Sequence, residues 1–240
     1  MSTERPAMRL MIRHRSLSLP LALFAAACGN DSSDPVFPEP DRPVAPIVST
    51  RFSNEDSRDS AGEAETVMKL AKVAPGMTVA DIGAGEGYYT VRLAPIVGEN
   101  GRVLAQDIMP GTRDRLAERV QREALDNVSV KLGEEDDPKL PPTSFDRIFM
   151  VHMYHEIEQP YAFLWHMRPA LKRGGSVVVV DADRPTANHG TPPRLLVCEF
   201  AAVGYKLVRF EDLPAAEAYL AQFVAEGERP QPDNIRPCQG

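Results

Sequence analysis

Apolar residues in this chain fall into short uninterrupted runs, separated by longer stretches in which apolar positions recur with helical spacing. The runs at 78–82 and 177–180 lack polar alternation, as strands covered on both faces require, and 102–107, 128–132 and 145–150 read as further strands. Between them, 64–72, 111–125 and 160–171 read as helices. Val67, Leu70 and Ala71 share a face of the first, Leu116, Val120 and Ala124 a face of the second, and Phe163, Leu164 and Met167 a face of the third. A helix at 192–203 and strands at 205–210 and 218–224 complete the series. Strand and helix alternation of this kind predicts an α/β fold with a doubly wound, mostly parallel sheet and helices on both faces.

The most informative stretch is 79–90, Val-Ala-Asp-Ile-Gly-Ala-Gly-Glu-Gly-Tyr-Tyr-Thr. A buried strand runs into Gly83, Gly85 and Gly87, which permit a tight turn and close approach of a ligand to the backbone. The helix expected over 88–93 then aims its free N–H groups at the same spot. This is the first crossover of a nucleotide-binding sheet, with the ligand beyond the strand's carboxyl end. A dinucleotide fingerprint, G-x-G-x-x-G, would place its third glycine at Tyr88; Gly87 arrives one residue early, which disfavours a nicotinamide dehydrogenase.

The order Asp81-x-Gly83-x-Gly85-x-Gly87 instead resembles motif I of the class I S-adenosylmethionine-dependent methyltransferases. The segment 171–181, Leu-Lys-Arg-Gly-Gly-Ser-Val-Val-Val-Val-Asp, is similar to that family's Leu-Lys-Pro-Gly-Gly segment before its fifth strand, with Arg173 where proline is usual. The resemblance spans roughly 51–225. It implies a seven-stranded, Rossmann-like sheet that ends in a reversed hairpin, with S-adenosylmethionine as cofactor. Relatives of this kind include predicted methyltransferases of proteobacteria that carry an export signal, some of lipoprotein type.

Several residues can be assigned roles on this basis. Asp107, at the end of the second strand and some twenty residues past the glycine turn, stands where a carboxylate accepts from both hydroxyls of a ribose, with Ile108 beside it. The resemblance puts the adenine amino group on Glu134, with Glu135 and Asp136 as alternative acids. Together with Asp81, Gly83, Ala84, Gly85, Gly87, Val151 and His152, these form the expected cofactor-binding set. The loop Val151-His-Met-Tyr-His-Glu-Ile157 leaves the fourth strand next to the reacting sulfonium. His155 is the expected catalytic base, with Tyr154 shaping the pocket and Glu156 fixing the imidazole tautomer. His-x-x-His-Glu lacks the His-Glu-x-x-His helical register of zinc peptidases, so no metal ligand is assigned. Asp181, Asp183 and Arg184 lie past the fifth strand and can face substrate. Asn54, Asp56 and Arg58 either touch cofactor or substrate or form a solvated loop.

Length and charge narrow the rest. With 240 residues the chain can bury one sizeable core, and its net charge of -7 argues against nucleic acid as a partner. Arg9, Arg13 and Arg15 precede an apolar run over 17–27, too short to span a bilayer but suited to a signal-peptide core. Ala25-Ala26-Ala27-Cys28 resembles a lipoprotein cleavage site, with Ala25 where leucine is usual. The expected organisation is a signal peptide at 1–27, a proline-rich tether at 28–50, the methyltransferase domain at 51–227 and a tail at 228–240. Loss of 1–27 removes Arg5, Arg9, Arg13, Arg15 and Glu4 and moves the net charge to about -10. Attachment to the periplasmic side of a membrane would then rest on acyl chains at Cys28. Cys198 and Cys238 remain, either as a disulfide formed in an oxidising compartment or as ordinary core thiols. The expected activity is methyl transfer to a small-molecule acceptor. Its rival is a membrane-anchored binding protein that retains the fold and nucleoside pocket without transfer.

Overall fold

The computed structural model describes residues 1, 35–47 and 55–239. The expected signal peptide, Cys28 and Asn54 lie outside the described residues.

Helices α1 (Glu55–Ser60) and α2 (Glu63–Leu70) precede a run of strands and helices: β1 (Thr78–Ile82), α3 (Tyr88–Val97), β2 (Arg102–Asp107), α4 (Pro110–Arg122), β3 (Val128–Leu132) and β4 (Phe145–Val151). Helix α5 (Pro160–Met167), β5 (Leu171–Asp181), α6 (Pro193–Ala202), β6 (Tyr205–Leu213) and β7 (Ala218–Ala225) follow. The strands form one seven-stranded sheet in the order β3-β2-β1-β4-β5-β7-β6. The first five run parallel; β7 is antiparallel to both β5 and β6, which gives the reversed hairpin. Because side chains alternate across a strand, Ile148 and Met150 enter one core with Phe163, Leu196 and Phe200. Phe149 enters the other with Val67, Tyr89 and Leu93.

Four expectations about the fold need correction. Strand β5 starts at Leu171 rather than 177, because it pairs with Phe145 across a register shift. Gly174 adopts φ +82° there, and a Cβ on Gly175 would sit 2.6 Å from the Phe145 carbonyl oxygen, so the Gly-Gly pair is needed for the bend itself. The helix expected over 160–171 stops at Met167 and passes into a 3₁₀ turn around Pro169, since proline has no N–H to continue the helical ladder and its ring crowds the carbonyl one turn back. Ala124 is exposed at φ +51°, in the turn that leaves α4, instead of packing inward. Helix α1 is an addition: it buries no residue and is held by ion pairs, Glu55 with Arg119 at 2.6 Å and Asp59 with Arg92 at 2.6 Å.

The fourth correction concerns the tether. Residues 35–47 are irregular, as five prolines across 35–46 require, but they lie against the domain and belong to the same compact unit, 35–240. Arg42 is buried and donates from Nε to Glu199 Oε1 at 2.9 Å. The Ala45 N–H donates to the His155 carbonyl at 3.1 Å, and Thr186 Oγ1 donates to the Pro43 carbonyl at 2.6 Å. The tail is likewise anchored. Cys238 forms a disulfide with Cys198 of α6, Ile235 is buried, and Trp165 Nε1 donates to the Pro230 carbonyl at 2.8 Å.

Candidate active site

A cavity of about 780 Å³ opens at the carboxyl ends of β1, β2, β4 and β5, where a doubly wound sheet reverses direction. Gly83, Ala84 and Gly85 form its floor. Gly83 adopts φ +65°, and a Cβ there would come within 2.9 Å of Met153 Cγ, so the turn accepts only glycine without movement.

Asp107 and Ile108 form the wall at the end of β2. The Gly85 N–H donates to Asp107 Oδ2 at 3.0 Å and the Met109 N–H to Oδ1 at 2.9 Å. Burial pushes the Asp107 carboxyl up, against the pull of these two N–H groups. Each oxygen keeps a second lone pair, so the carboxylate can still accept from a ligand's hydroxyls. Gln106 is next to it in the wall, with its Nε2 buried and no protein acceptor within reach. Gly133 is glycine because the Gln106 amide occupies the space where a Cβ would go. Glu134 lines the cavity mouth, largely exposed and 3.3 Å from Lys139 Nζ.

Two of the expected cofactor residues do not face the cavity. Asp81 is buried behind the turn, accepts from Thr90 Oγ1 at 2.6 Å, and has its carboxyl raised to about 6 by burial. Gly87 opens α3 at φ +91°, where a Cβ would meet Leu116 Cδ1 at 2.6 Å. Both residues therefore act on the shape of the turn from beneath it. Val151 and His152 do line the cavity.

His152, at φ +52°, brings Nε2 to 3.2 Å from Glu63 Oε2. Glu63 also accepts from Arg58 Nη2 at 2.5 Å and from Tyr89 Oη at 3.0 Å. Burial works against its charge, but the bonds from His152 and Arg58 outweigh that and hold the carboxyl down to about 2. Arg58 lies over the Tyr88 ring at 3.9 Å and lines the cavity. Asp56 is not among the lining residues. Sequence reading missed Glu63; the available signal was an acid set one turn ahead of Val67 on an otherwise apolar helix face.

The loop after β4 differs most from expectation. Tyr154 is fully buried, packs near Phe200 and donates to Glu199 Oε2 at 2.7 Å, so it shapes the core and not the pocket. His155 is buried yet lines the cavity. Its Nδ1 lies 3.0 and 3.1 Å from the two oxygens of Asp181, which takes the orienting role expected of Glu156. Asp181 sits behind His155, fully buried, and accepts from Thr191 Oγ1 at 2.7 Å. A carboxylate on Nδ1 leaves Nε2 as the second functional nitrogen of the ring. Glu156, Arg184 and His189 also line the cavity. His189 was not foreseen; it sits in the loop after β5 with its ring 5.5 Å from that of His155.

Sequence and structural comparisons agree with this architecture. Residues 79–175 match a family model described as a methyltransferase domain. The protein-L-isoaspartate O-methyltransferase of Methanococcoides burtonii is 30% identical over 46% of this chain and 51% of its own length. The ubiquinone/menaquinone biosynthesis C-methyltransferase UbiE of Teredinibacter turnerae is 27% identical over 69% of this chain and 65% of its own. The chain thus spans between half and two thirds of the length of these curated relatives. An S-adenosylmethionine-dependent methyltransferase structure from Aquifex aeolicus superposes with a TM-score of 0.65 and 26% identity, covering 70% of this chain and 92% of that one. The [4+2]-cyclase SpnF shares the fold at a TM-score of 0.61 and 13% identity, covering 78% of this chain and 88% of that one. Residues 79–175 thus resemble a methyltransferase domain, and the chain has the Rossmann-like fold of the class I methyltransferases.

Proposed function

We propose that this protein transfers a methyl group from S-adenosylmethionine to a small-molecule acceptor. The observation that carries the reading is the joined pair of motif I turn and Asp107. The Gly83–Gly85 backbone and a ribose-binding carboxylate share one cavity wall, with a hydrogen bond between them. The cavity suits the cofactor in two further respects. Gln106 Nε2 supplies a buried donor without a protein partner beside Asp107, and Arg58, paired with Glu63, places a cation in the lining.

Bound S-adenosylmethionine would supply a methyl group on a positive sulfur that leaves as a neutral thioether. The chain's own part is to orient the acceptor and exclude water. His155, locked by Asp181, faces the acceptor end together with Glu156 and His189. A cavity of about 780 Å³ has room for a nucleoside cofactor and a compact acceptor, which favours a small molecule over a polymer. Production of S-adenosylhomocysteine with a panel of small acceptors tests transfer, and titration with the cofactor tests the site.

We also infer that the protein is exported and lipid-anchored through Cys28 on the periplasmic side of the membrane. The Cys198–Cys238 disulfide supports an oxidising compartment. Fractionation of wild-type protein and a Cys28→Ser variant tests it: wild-type protein in the cytosol would end the reading.

A further inference from the structure

We propose that His155, Glu156 and His189 form a binding site for a divalent transition-metal ion in the wall of the cavity. One ligand atom from each lies within 4.8 Å of the other two. Bond lengths of about 2.0–2.1 Å in a tetrahedral zinc site put neighbouring ligand atoms about 3.4 Å apart. The three groups therefore need to draw in by about 1 Å or more. Glu156 and His189, both partly exposed, can supply that movement, while His155 is buried and serves as the anchor.

Three features show a site prepared for an ion. Asp181 holds Nδ1 of His155 and leaves Nε2 as the ligating nitrogen, the carboxylate–histidine arrangement that orients metal ligands. That carboxylate is itself fixed by Thr191 Oγ1 at 2.7 Å and by the Ala182 N–H at 2.9 Å, in fully buried surroundings. His189 adopts φ +57°, a left-handed conformation that a side-chain-bearing residue holds at a cost, and this places it opposite His155.

Two imidazoles and one carboxylate suit zinc, iron(II), cobalt or nickel rather than magnesium or calcium. Three protein ligands leave a position open toward the cavity, for water or for an oxygen of a bound molecule. His155 then serves as a ligand instead of a base. The site uses neither the glycine-turn residues nor Asp107, and goes beyond the methyl-transfer reading.

The test uses the untagged full chain, freed of metal by chelation and titrated calorimetrically with Zn²⁺, with Co²⁺ absorption as a second readout. One ion per chain is expected at micromolar affinity or tighter. Glu156→Gln and His189→Gln should each weaken it by more than tenfold, and Asp181→Asn by about 10- to 100-fold. Thermal unfolding of the metal-free variants confirms that each is folded. No binding by folded wild-type protein overturns the proposal, as does binding that Glu156→Gln and His189→Gln leave unchanged. A parallel titration with S-adenosylmethionine separates the two readings. Zinc binding without cofactor binding removes the transfer proposal alone, and cofactor binding without zinc removes the metal site alone.

Discussion

The Gly85 N–H donates to Asp107 Oδ2 at 3.0 Å, which ties the turn after β1 to the end of β2. That one bond fixes the glycine turn and the strand-end carboxylate relative to each other. Twenty-one positions of chain, including all of α3, separate the two residues. The parallel pairing of β1 with β2, with Ile82 opposite Gln106, brings them together. The site is thus a consequence of sheet register, and substitutions that disturb the register or the turn should affect it even when they lie outside the cavity.

Gly87→Ala should destabilise the fold without touching the cavity. The residue sits at φ +91°, and its new Cβ would meet Leu116 Cδ1 at 2.6 Å. Left-handed backbone and overpacking together cost about 2–4 kcal/mol. Urea unfolding of the variant should show that loss; a midpoint equal to wild type would contradict the packing role assigned to Gly87.

Acid sensitivity should trace to Glu63. Its carboxyl is held down to about 2 from an ordinary 4.5, so the unfolded chain takes up the proton first as pH falls. The stabilisation is complete above about pH 4.5 and is lost as pH drops toward 2, on the order of 3 kcal/mol in total. Stability measured between pH 6 and pH 3 should fall more steeply for wild type than for Glu63→Gln. Parallel slopes would show that His152 and Arg58 do not hold the charge.

Residues 35–47 should contribute to stability as part of the folded unit. Arg42→Met leaves Glu199 buried without its guanidinium, a loss of about 3–5 kcal/mol. A substitution at the exposed Val36 of the same segment should change stability by about 0.5 kcal/mol or less. Equal, small effects at both positions would mean that the segment only rests on the domain.

Much of this architecture is legible in the amino-acid order. Strands β1, β2 and β3 fall at the expected positions, and β1, buried along nearly its whole length, leaves the plainest signature, a run without polar alternation. The glycine turn and Asp107 were equally legible, since a tight turn and a strand-end acid are local features. Helix α1 was not, because it buries nothing and depends on partners more than 30 residues away. The docking of 35–47 was hidden for the same reason: the prolines report an extended chain but not the Arg42–Glu199 contact across 157 residues. Tyr154 and His155 are adjacent, and sequence could not show that one turns into the core while the other faces the cavity. The partners that decide this, Glu199 and Asp181, come from α6 and β5.

The central claim is that the cavity beside Gly85 and Asp107 binds S-adenosylmethionine, and calorimetric titration of the wild-type protein and an Asp107→Ala variant tests it most directly. Micromolar binding of S-adenosylmethionine and S-adenosylhomocysteine is expected, weakened about 10- to 100-fold in the variant as its charge-assisted hydrogen bonds are lost. Absence of binding by properly folded wild-type protein, or equal binding by the variant, would contradict the account.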